Sequence, residues 1–410
     1  MAFFQSNQQI EKEKQRLVKL QNLLERDLGK TGTNVKAKIL SMAKSLDGRN
    51  KMTVWVGLGD FTARKISVGD DKCKQIVLRG HKGPVTCIGV VPKYAKGNTD
   101  STEQEVPEYV LTGSWDKTIR MWDPQTQQTV AVFDGHSDFI KCLEVDLHTQ
   151  TMYSGSSDKT IKVWDYSAAI PSSSIENTNA NSKPVSIRPI QTIKDDQLIR
   201  GPINKLLVND ELYSVGSDSK VIRWELENPN DGNTNRRLTK KHTIYSGHLT
   251  SVYSINVTDN SIWTGSADKF ALEFDKLNNT KAQTKFEHTD PIKSVLVIPQ
   301  QPYNNLFLAG DKERNLHIWK SDSDKSMLEA HLDSIESILL VNLNKNEPTV
   351  LTGSIDGYVK AWSVPDLFSF KNDDVPANIP LNNQDIAPNG LTADEDKELQ
   401  DLLDELDDDY

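Results

Sequence analysis

One pattern recurs six times along this chain and constrains its fold more than any other feature. VLTGSWDKTIRMWD (110–123) returns as MYSGSSDKTIKVWD (152–165), YSVGSDSKVIRWE (213–225), IWTGSADKFALEFD (262–275), LFLAGDKERNLHIWK (306–320) and VLTGSIDGYVKAWS (350–363). In each copy an apolar run leads through a glycine to a polar turn, and an alternating run then closes on an aromatic residue. Alternation with period two on both sides of a polar turn is typical of a β-hairpin. Hairpins repeated along a chain predict an all-β fold whose units pack on one another.

A second element precedes most copies and ends in a histidine. It reads Gly80-His81, Gly135-His136, Gly247-His248, Glu287-His288 and Ala330-His331. Counted from the histidine, the fourth residue is always apolar (Val85, Ile140, Val252, Ile292, Ile335) and the sixth always small (Cys87, Cys142, Ser254, Ser294, Ser337). This regularity predicts the same packing environment in each unit.

The aromatic residues that close the copies are spaced 42 to 60 residues apart. That spacing agrees with a period of roughly 40–45 residues for four-stranded propeller blades that carry surface insertions. With its Gly-His and Trp-Asp marks, the chain resembles the WD-repeat family over about residues 36–370. The resemblance implies a β-propeller.

A degenerate seventh copy lies at the start of the repeat region. WVGLGDFTARKIS (55–67) places Gly57, Asp60 and Ile66 where other copies have glycine, aspartate and tryptophan. Residues 35–42 would supply the innermost strand of this blade and residues 74–80 its outermost strand. We therefore predict seven blades; a ring of six is the alternative.

The resemblance also implies a structural hydrogen-bonded set in each blade: the turn aspartate, the loop histidine, a strand hydroxyl and the tryptophan. The matching residues are Asp116, His81, Thr112 and Trp122; Asp158, His136, Ser154 and Trp164; and Asp356, His331, Thr352 and Trp362. Asp268, His248 and Thr264 match as well, but Phe274 lacks an indole donor. Two further blades depart from the pattern, because Glu313 replaces the aspartate beside His288 and Gly201-Pro202 stands where Gly-His is expected.

Three insertions interrupt the repeats. Residues 92–108 are predicted to form a long mobile loop, and residues 166–190, rich in Ser, Asn and Pro, are predicted to be disordered. Residues 226–241 are predicted to be a surface loop that ends in a basic cluster of Arg236, Arg237, Lys240 and Lys241. A solvated loop is the favoured interpretation of that cluster, with nuclear import or phosphate binding as the alternative.

Outside the repeats, the pattern predicts two amphipathic helices. Residues 1–30 carry apolar residues at helical spacing, which predicts a helix that packs on the propeller or forms a short coiled coil. Residues 35–370 would be the propeller and 371–391 a flexible linker. Residues 392–410 predict an acidic helix with one stripe of Leu399, Leu402, Leu403 and Leu406. Such a helix suits a groove on another protein, and docking on its own propeller is the alternative.

Composition limits the remaining possibilities. The formal net charge is −10, nearly all of it in residues 394–409, which disfavours general nucleic-acid binding. No membrane span or secretory signal is expected, and the three scattered cysteines predict neither a disulfide framework nor a zinc site. These features indicate a protein of the cytoplasm, the nucleus or both.

No catalytic, cofactor or metal motif is recognisable, so we predict a non-enzymatic scaffold or adaptor subunit of a multiprotein complex. Partners would dock on one propeller face and through the terminal helices. Candidate contact residues on that face are Trp115, Phe139, Lys141, Tyr253 and Lys293, because exposed aromatic residues are favoured binding anchors. The alternatives are an acidic escort for a basic client, such as a ribosomal protein or histone, and an RNA-associated processing factor.

Overall fold

A computed structural model describes residues 32–46, 52–70, 75–93, 108–170, 183–227, 235–277, 280–298, 303, 306–321, 324–344 and 347–370. All of these residues belong to one compact unit of the chain, Met1–Phe370. Both predicted terminal helices, with Leu399, Leu402, Leu403 and Leu406, lie outside the described residues. No helix among the described residues is long and apolar enough to cross a membrane.

The described strands form seven antiparallel sheets, here called blades 1 to 7. The chain begins with β1 (Thr33–Asn34), and blade 1 follows with β2 (Ile39–Lys44), β3 (Thr53–Leu58), β4 (Ala63–Ser67) and β5 (Ile76–Leu78). Blade 2 contains β6 (Val85–Pro92), β7 (Glu108–Ser114), β8 (Thr118–Asp123) and β9 (Gln128–Asp134). Blade 3 contains β10 (Ile140–Asp146), β11 (Thr151–Ser156), β12 (Ile161–Asp165) and, after an intervening β13 (Val185–Ile187), β14 (Gln191–Ile193).

The remaining blades follow the same order. Blade 4 contains β15 (Ile203–Val208), β16 (Leu212–Gly216), β17 (Val221–Glu227) and β18 (Arg237–Tyr245). Blade 5 contains β19 (Val252–Val257), β20 (Ser261–Ser266), β21 (Phe270–Asp275) and β22 (Ala282–Glu287). Blade 6 contains β23 (Ile292–Ile298), β24 (Leu306–Asp311), β25 (Asn315–Ser321) and β26 (Asp324–Glu329). Blade 7 contains β27 (Ile335–Asn344), β28 (Glu347–Ser354) and β29 (Tyr358–Ser363), and a short helix α1 (Val364–Ser369) follows it.

The first strand of each blade faces the middle of a closed ring. These inner strands contact one another in the order β2, β6, β10, β15, β19, β23 and β27, and β27 returns to contact β2. The prediction of seven blades is therefore confirmed, and the degenerate copy forms blade 1. An all-β, seven-bladed propeller is the architecture of the described residues.

The ring is closed by a strand that the repeats do not predict. β1 pairs with β29, with Thr33 opposite Val359 and Asn34 opposite Tyr358. The Val35 amide donates to the Gly357 carbonyl oxygen at 2.9 Å. Blade 7 thus takes its outermost strand from residues that precede blade 1, so hydrogen bonds join the two ends of the repeat region.

The structure corrects two of the predicted insertions. Residues 166–190 were expected to be disordered, but β13 pairs in parallel with β9 and gives blade 2 a fifth strand. The chain then returns to blade 3 as β14, which pairs with β12. Residues 226–241 were expected to be a loop, but β17 runs to Glu227 and β18 begins at Arg237. Backbone pairing to a blade edge therefore orders residues 185–187 and 237–241, whose polar composition suggested a loop, while 171–182 and 228–234 lie outside the described residues.

Neighbouring blades make one close contact that repeats around the ring. Six blades have a glycine near the end of the second strand, and it faces the first inner-strand residue of the next blade. A Cβ atom on these glycines would lie 2.5–3.1 Å from that residue's side chain; the pairs are Gly57–Val85, Gly113–Ile140, Gly155–Ile203, Gly265–Ile292, Gly310–Ile335 and Gly353–Ile39. The glycine and the apolar fourth residue of the sequence pattern are therefore the two sides of one contact.

Blade 4 departs from this rule. Its register places Val215 at the position of the glycine, opposite Lys205 as Gly113 is opposite Cys87. Val215 and the Val252 that begins the next inner strand are both buried in one apolar cluster. Two valine side chains therefore fill this interface, whereas each of the other six pairs a glycine with valine or isoleucine.

We expect Gly265→Ala to lower the free energy of unfolding by about 1–3 kcal/mol, the usual cost of overpacking. The new Cβ would lie 2.5 Å from Ile292 Cγ2, 2.8 Å from Ser254 Oγ and 2.9 Å from Val295 Cγ1. Urea denaturation would measure the change. Gly32→Ala is the matched control, since its Cβ would meet nothing nearer than 3.5 Å. Equal stability of the two variants would contradict the close-contact rule.

Candidate functional site

The strand order brings two sets of loops to the same side of the ring. Inner strands begin at this side, and the turns between second and third strands lie there because successive strands are antiparallel. We call this side the loop face. It contains the loop histidines, the turn aspartates and all five predicted contact residues.

In blades 2, 3 and 7 the four residues of the predicted set form one hydrogen-bonded chain. In blade 2, His81 Nδ1 lies 2.7 Å from Asp116 Oδ2, and His81 Nε2 lies 2.7 Å from Thr112 Oγ1. The Trp122 indole donates to the same hydroxyl at 2.7 Å. The corresponding distances are 2.7–3.0 Å for His136, Asp158, Ser154 and Trp164, and for His331, Asp356, Thr352 and Trp362.

The direction of each bond follows from which groups can donate. An indole N–H only donates and an ionised carboxylate only accepts. The Thr112 hydroxyl therefore accepts from Trp122 and donates to His81 Nε2, while His81 Nδ1–H donates to Asp116. Every member is satisfied when the histidine is neutral, so these residues have a complete structural role and no proton to exchange.

The surroundings of the histidines favour that neutral form. Burial lowers the pKa of His136, His248 and His331, although each lies beside a carboxylate that acts in the opposite direction. Burial alone would raise the pKa of Asp116 and Asp158, but hydrogen bonds from the histidine, a threonine and a backbone amide hold it well below its usual range. At neutral pH, Asp116 and Asp158 are thus ionised, and His136, His248 and His331 are neutral.

Blade 5 keeps part of this chain. His248 lies 2.9 Å from Asp268 Oδ2 and 2.8 Å from Thr264 Oγ1. Phe274 has no indole, and the Thr264 hydroxyl lies 3.3 Å from the Leu272 carbonyl oxygen instead. The missing tryptophan therefore does not separate the histidine from its two partners.

Blade 6 lacks this set of hydrogen bonds and holds its turn by other contacts. The register puts Ala309 where other blades have the hydroxyl, and neither ring nitrogen of the buried His288 has a hydrogen-bond partner in the described part of the chain. His288 instead stacks on Trp319, with ring centroids 4.4 Å apart. The buried Asp311 takes over the turn, because it accepts from the Asn315 amide at 2.8 Å and lies 2.9 Å from His317 Nε2.

Blade 4 was aligned wrongly from the sequence. Its inner strand begins at Ile203, so Gly201-Pro202 corresponds to Gly83-Pro84, and the position of the histidine is held by Ile199. Ile199 is buried in an apolar cluster, and Lys220 donates to the Leu198 carbonyl oxygen at 3.0 Å. Ile199 and Lys220 therefore take the place of the histidine, while the turn aspartate is kept as Asp218, which accepts from the Arg200 amide at 3.2 Å.

Blade 1 is joined to blade 2 through a buried glutamate that sequence reasoning missed. Glu108 Oε1 accepts from Trp55 Nε1 at 2.8 Å and from Lys65 Nζ at 2.9 Å. The Ser45 hydroxyl and the Leu46 amide donate to the same carboxylate at 2.9 and 2.7 Å. The available signal was a lone acidic residue at the start of an apolar strand. Glu108 gives the indole of the degenerate blade a partner in the next blade.

Two of the three aromatic contact candidates lie together on the loop face. Trp115 and Phe139 come from blade 2 and from the loop before blade 3, and their rings stack with centroids 5.1 Å apart. They remain 45% and 41% exposed. We call them the aromatic pair; it projects from a backbone held by the Trp115 amide's bond to the Pro84 carbonyl oxygen at 3.1 Å.

The other three candidates lie in a ring formed by the second residues of the inner strands. Lys141 Nζ donates to Asn204 Oδ1 at 3.0 Å. Lys293 Nζ lies 4.3 Å from the Tyr253 ring centroid and 3.9 Å from Glu336 Oε1. Burial, and then the charge of Lys293 nearby, lower the pKa of the Lys141 ammonium group. This channel-mouth ring is therefore polar, and it begins two residues beyond Phe139.

Two residues of the basic cluster, Arg236 and Lys241, already interact with other groups of this chain. Arg236 lies 3.6 Å from Asp146 and donates to the Asp210 carbonyl oxygen, while Lys241 lies 3.4 Å from Glu225. Arg236 also borders a surface depression of about 320 Å³ between blades 3 and 4. Within the described residues, no cluster of three or more His, Cys, Asp or Glu side chains is arranged to hold a metal ion.

These features define the class of protein. A model of the WD domain, G-beta repeat matches residues 71–123, 127–165 and 323–363, and the structure adds the other blades. The described residues therefore form a seven-bladed β-propeller that contains WD repeats. The chain is 24% identical over 339 residues to an uncharacterized WD repeat-containing protein of Schizosaccharomyces pombe, covering 81% of this chain and 79% of that one.

Two similar proteins are much longer than this chain. The kinesin-like protein KIF21B of Mus musculus is 24% identical over 342 residues, which cover 75% of this chain but 18% of the kinesin-like protein. KIF21A of Homo sapiens is 25% identical over 324 residues, with 72% and 18% covered. The similarity therefore concerns one part of those proteins.

Removing the strand hydroxyl from blade 2 and adding one to blade 6 should change the free energy of unfolding in opposite directions. Thr112→Val leaves His81 Nε2 and Trp122 Nε1 without a partner and should lower the free energy of unfolding by about 1–3 kcal/mol. Ala309→Ser places a hydroxyl near the unpartnered His288 and should raise it by up to about 1 kcal/mol. Urea denaturation of both variants checks this, and changes of the same sign would refute it.

Acid should destabilise the propeller from about pH 6.5 downward. The folded pKa values of His136, His248, His288 and His331 lie below the unfolded value, so the unfolded chain takes up protons first as the pH falls. For His288, burial lowers the pKa to about 2. We expect His288→Phe, which keeps a ring on Trp319, to lose about 1 kcal/mol less than wild type between pH 7.5 and pH 5.5. Parallel pH dependence in the two proteins would contradict this assignment.

Proposed function

We propose that this propeller is a non-enzymatic scaffold that docks a protein partner on the aromatic pair of its loop face. WD-repeat propellers generally serve as protein-interaction scaffolds. The observation that carries the proposal is the stacking of Trp115 on Phe139 with both rings nearly half exposed. Large aromatic residues on a rigid surface are favoured anchors at protein interfaces.

The chemistry of the face supports binding rather than catalysis. The histidines and aspartates that would be candidates for acid–base chemistry are paired with each other in blades 2, 3, 5 and 7. A neutral histidine that donates to an ionised aspartate and accepts from a hydroxyl has no vacant position toward solvent. The exposed side chains around the aromatic pair include Lys82, Lys117 and Lys159, and aromatic rings with charged neighbours suit a peptide or protein surface.

The relatives support the view that such a propeller is a module. In the kinesin-like proteins the similar segment makes up 18% of the chain, so there it accompanies other parts of a longer protein. In this chain the additional parts would be the two predicted helices at residues 1–30 and 392–410. We propose that these helices bind further partners of the same complex. The buried free thiols of Cys87 and Cys142 fit a reducing compartment, the cytoplasm or nucleus.

Affinity purification of the full chain tests the docking surface. The double variant Trp115→Ala/Phe139→Ala should lose at least one partner that the wild type retains. The matched control is Leu249→Ala/Leu277→Ala, which removes two side chains that are 81% and 75% exposed elsewhere. The control should retain that partner. Identical partner sets for the aromatic variant and the wild type would refute the proposal.

The same purification separates the alternatives predicted from the sequence. On the scaffold hypothesis, substitution of Leu402, Leu403 and Leu406 releases a partner that resists high salt. On the escort hypothesis, salt and deletion of residues 376–410 release a basic client. On the RNA hypothesis, binding falls with salt and depends on the basic cluster. Arg236 and Lys241 already pair with acidic residues, which disfavours the RNA hypothesis.

A further inference from the structure

We propose that the segment docked on the aromatic pair is acidic: an apolar residue flanked by aspartates or glutamates. This inference rests on the proposed function, because it specifies the partner of the same surface. It is carried by the charges that surround Trp115 and Phe139. Lys82, Lys117 and Lys159 are all exposed on the loop face, and Lys141 lies two residues beyond Phe139.

The positions of these lysines are set by the turns of blades 2 and 3. Lys82 follows the loop histidine, and its amide donates to Asp116 Oδ2 at 3.0 Å. Lys117 follows that same aspartate in the turn, two residues after Trp115, and its amide donates to the Ser114 carbonyl oxygen at 3.2 Å. Lys159 has the equivalent turn position in blade 3, and both turn lysines have the left-handed backbone conformation, with φ of 73° and 63°.

The carboxylates of these two blades are already occupied by other donors. Asp116 and Asp158 each bind a histidine, a threonine hydroxyl and backbone amides, and Asp138 Oδ1 accepts from the Phe139 amide at 2.8 Å. Within the described residues, no hydrogen bond or ion pair engages the ammonium groups of Lys82, Lys117 and Lys159. These cations are therefore available to carboxylates from another molecule.

The charge near the aromatic pair contrasts with the charge of the whole chain. The formal net charge is −10, and nearly all of it is contributed by residues 394–409. An acidic segment would thus be attracted only by local lysines, whose field extends about one Debye length, roughly 8–10 Å at physiological salt. Binding should consequently depend on ionic strength as well as on the two rings.

The test uses the full chain and three fluorescein-labelled peptides of one length with a central Leu-Trp pair. Their flanking residues are glutamate and aspartate, glutamine and asparagine, or lysine. Fluorescence anisotropy should show the acidic peptide binding about tenfold or more tighter than the neutral peptide, as expected for a few exposed charge pairs. Its affinity should fall with added salt and fall further for Lys117→Glu/Lys159→Glu.

Lys269→Glu is the matched control, since Lys269 is an exposed lysine at the same turn position in blade 5, with φ of 70°. It should bind the acidic peptide like wild type. Equal binding of acidic and neutral peptides that is lost with Trp115→Ala/Phe139→Ala would refute the acidic inference and leave the docking surface standing. Peptide binding that is unchanged by Trp115→Ala/Phe139→Ala, or no binding by any peptide, would refute both the acidic inference and the docking surface. Tighter binding of single-stranded RNA at Lys117 and Lys159 would also overturn the inference.

Discussion

The contact between each second-strand glycine and the branched residue that begins the next inner strand is the constraint on which the ring depends. A single blade cannot bury its own faces, so its stability comes from the two neighbours against which it packs. Because the missing Cβ lets adjacent blades approach closely, the same short distance sets the angle between them around the ring. At the single exception, Val215 and Val252 fill the interface as two buried valines instead of a glycine and a branched residue.

Polar chemistry within the blades is more variable than this apolar contact. A neutral histidine bonded to an aspartate and a hydroxyl holds four loops, whereas Asp311, Ile199 and the Glu108 carboxylate hold others by different means. These solutions share a requirement that a buried donor or acceptor have a partner. His288 is an exception, because its ring nitrogens have no hydrogen-bond partner among the described residues and its uncharged ring stacks on Trp319. Uniform packing between blades therefore coexists with several ways of fastening the loops.

Sequence patterns predicted what repeats and missed what occurs once. Copies of the hairpin, the loop histidines and the exposed Trp115 could be identified because each position has counterparts in other blades. β1 and β13 could not be predicted from the sequence. Each has only two or three residues, too few to show a periodic pattern, and the strand with which each pairs is set by the closed ring. Stacking of Trp115 on Phe139 was also beyond the sequence, since it joins two blades through loops of different length.

The pairing of β1 with β29 has a mechanical consequence. In this antiparallel pair, Gly32 and Ser363 emerge from the same end of the two strands, so tension between them loads the hydrogen bonds one after another. Strands peeled apart in this way resist less force than strands pulled along their length, where all bonds share the load. The propeller thus has a defined point of opening, located where the chain meets itself. Force transmitted through both ends of the repeat region would linearise the ring before it unfolded a blade.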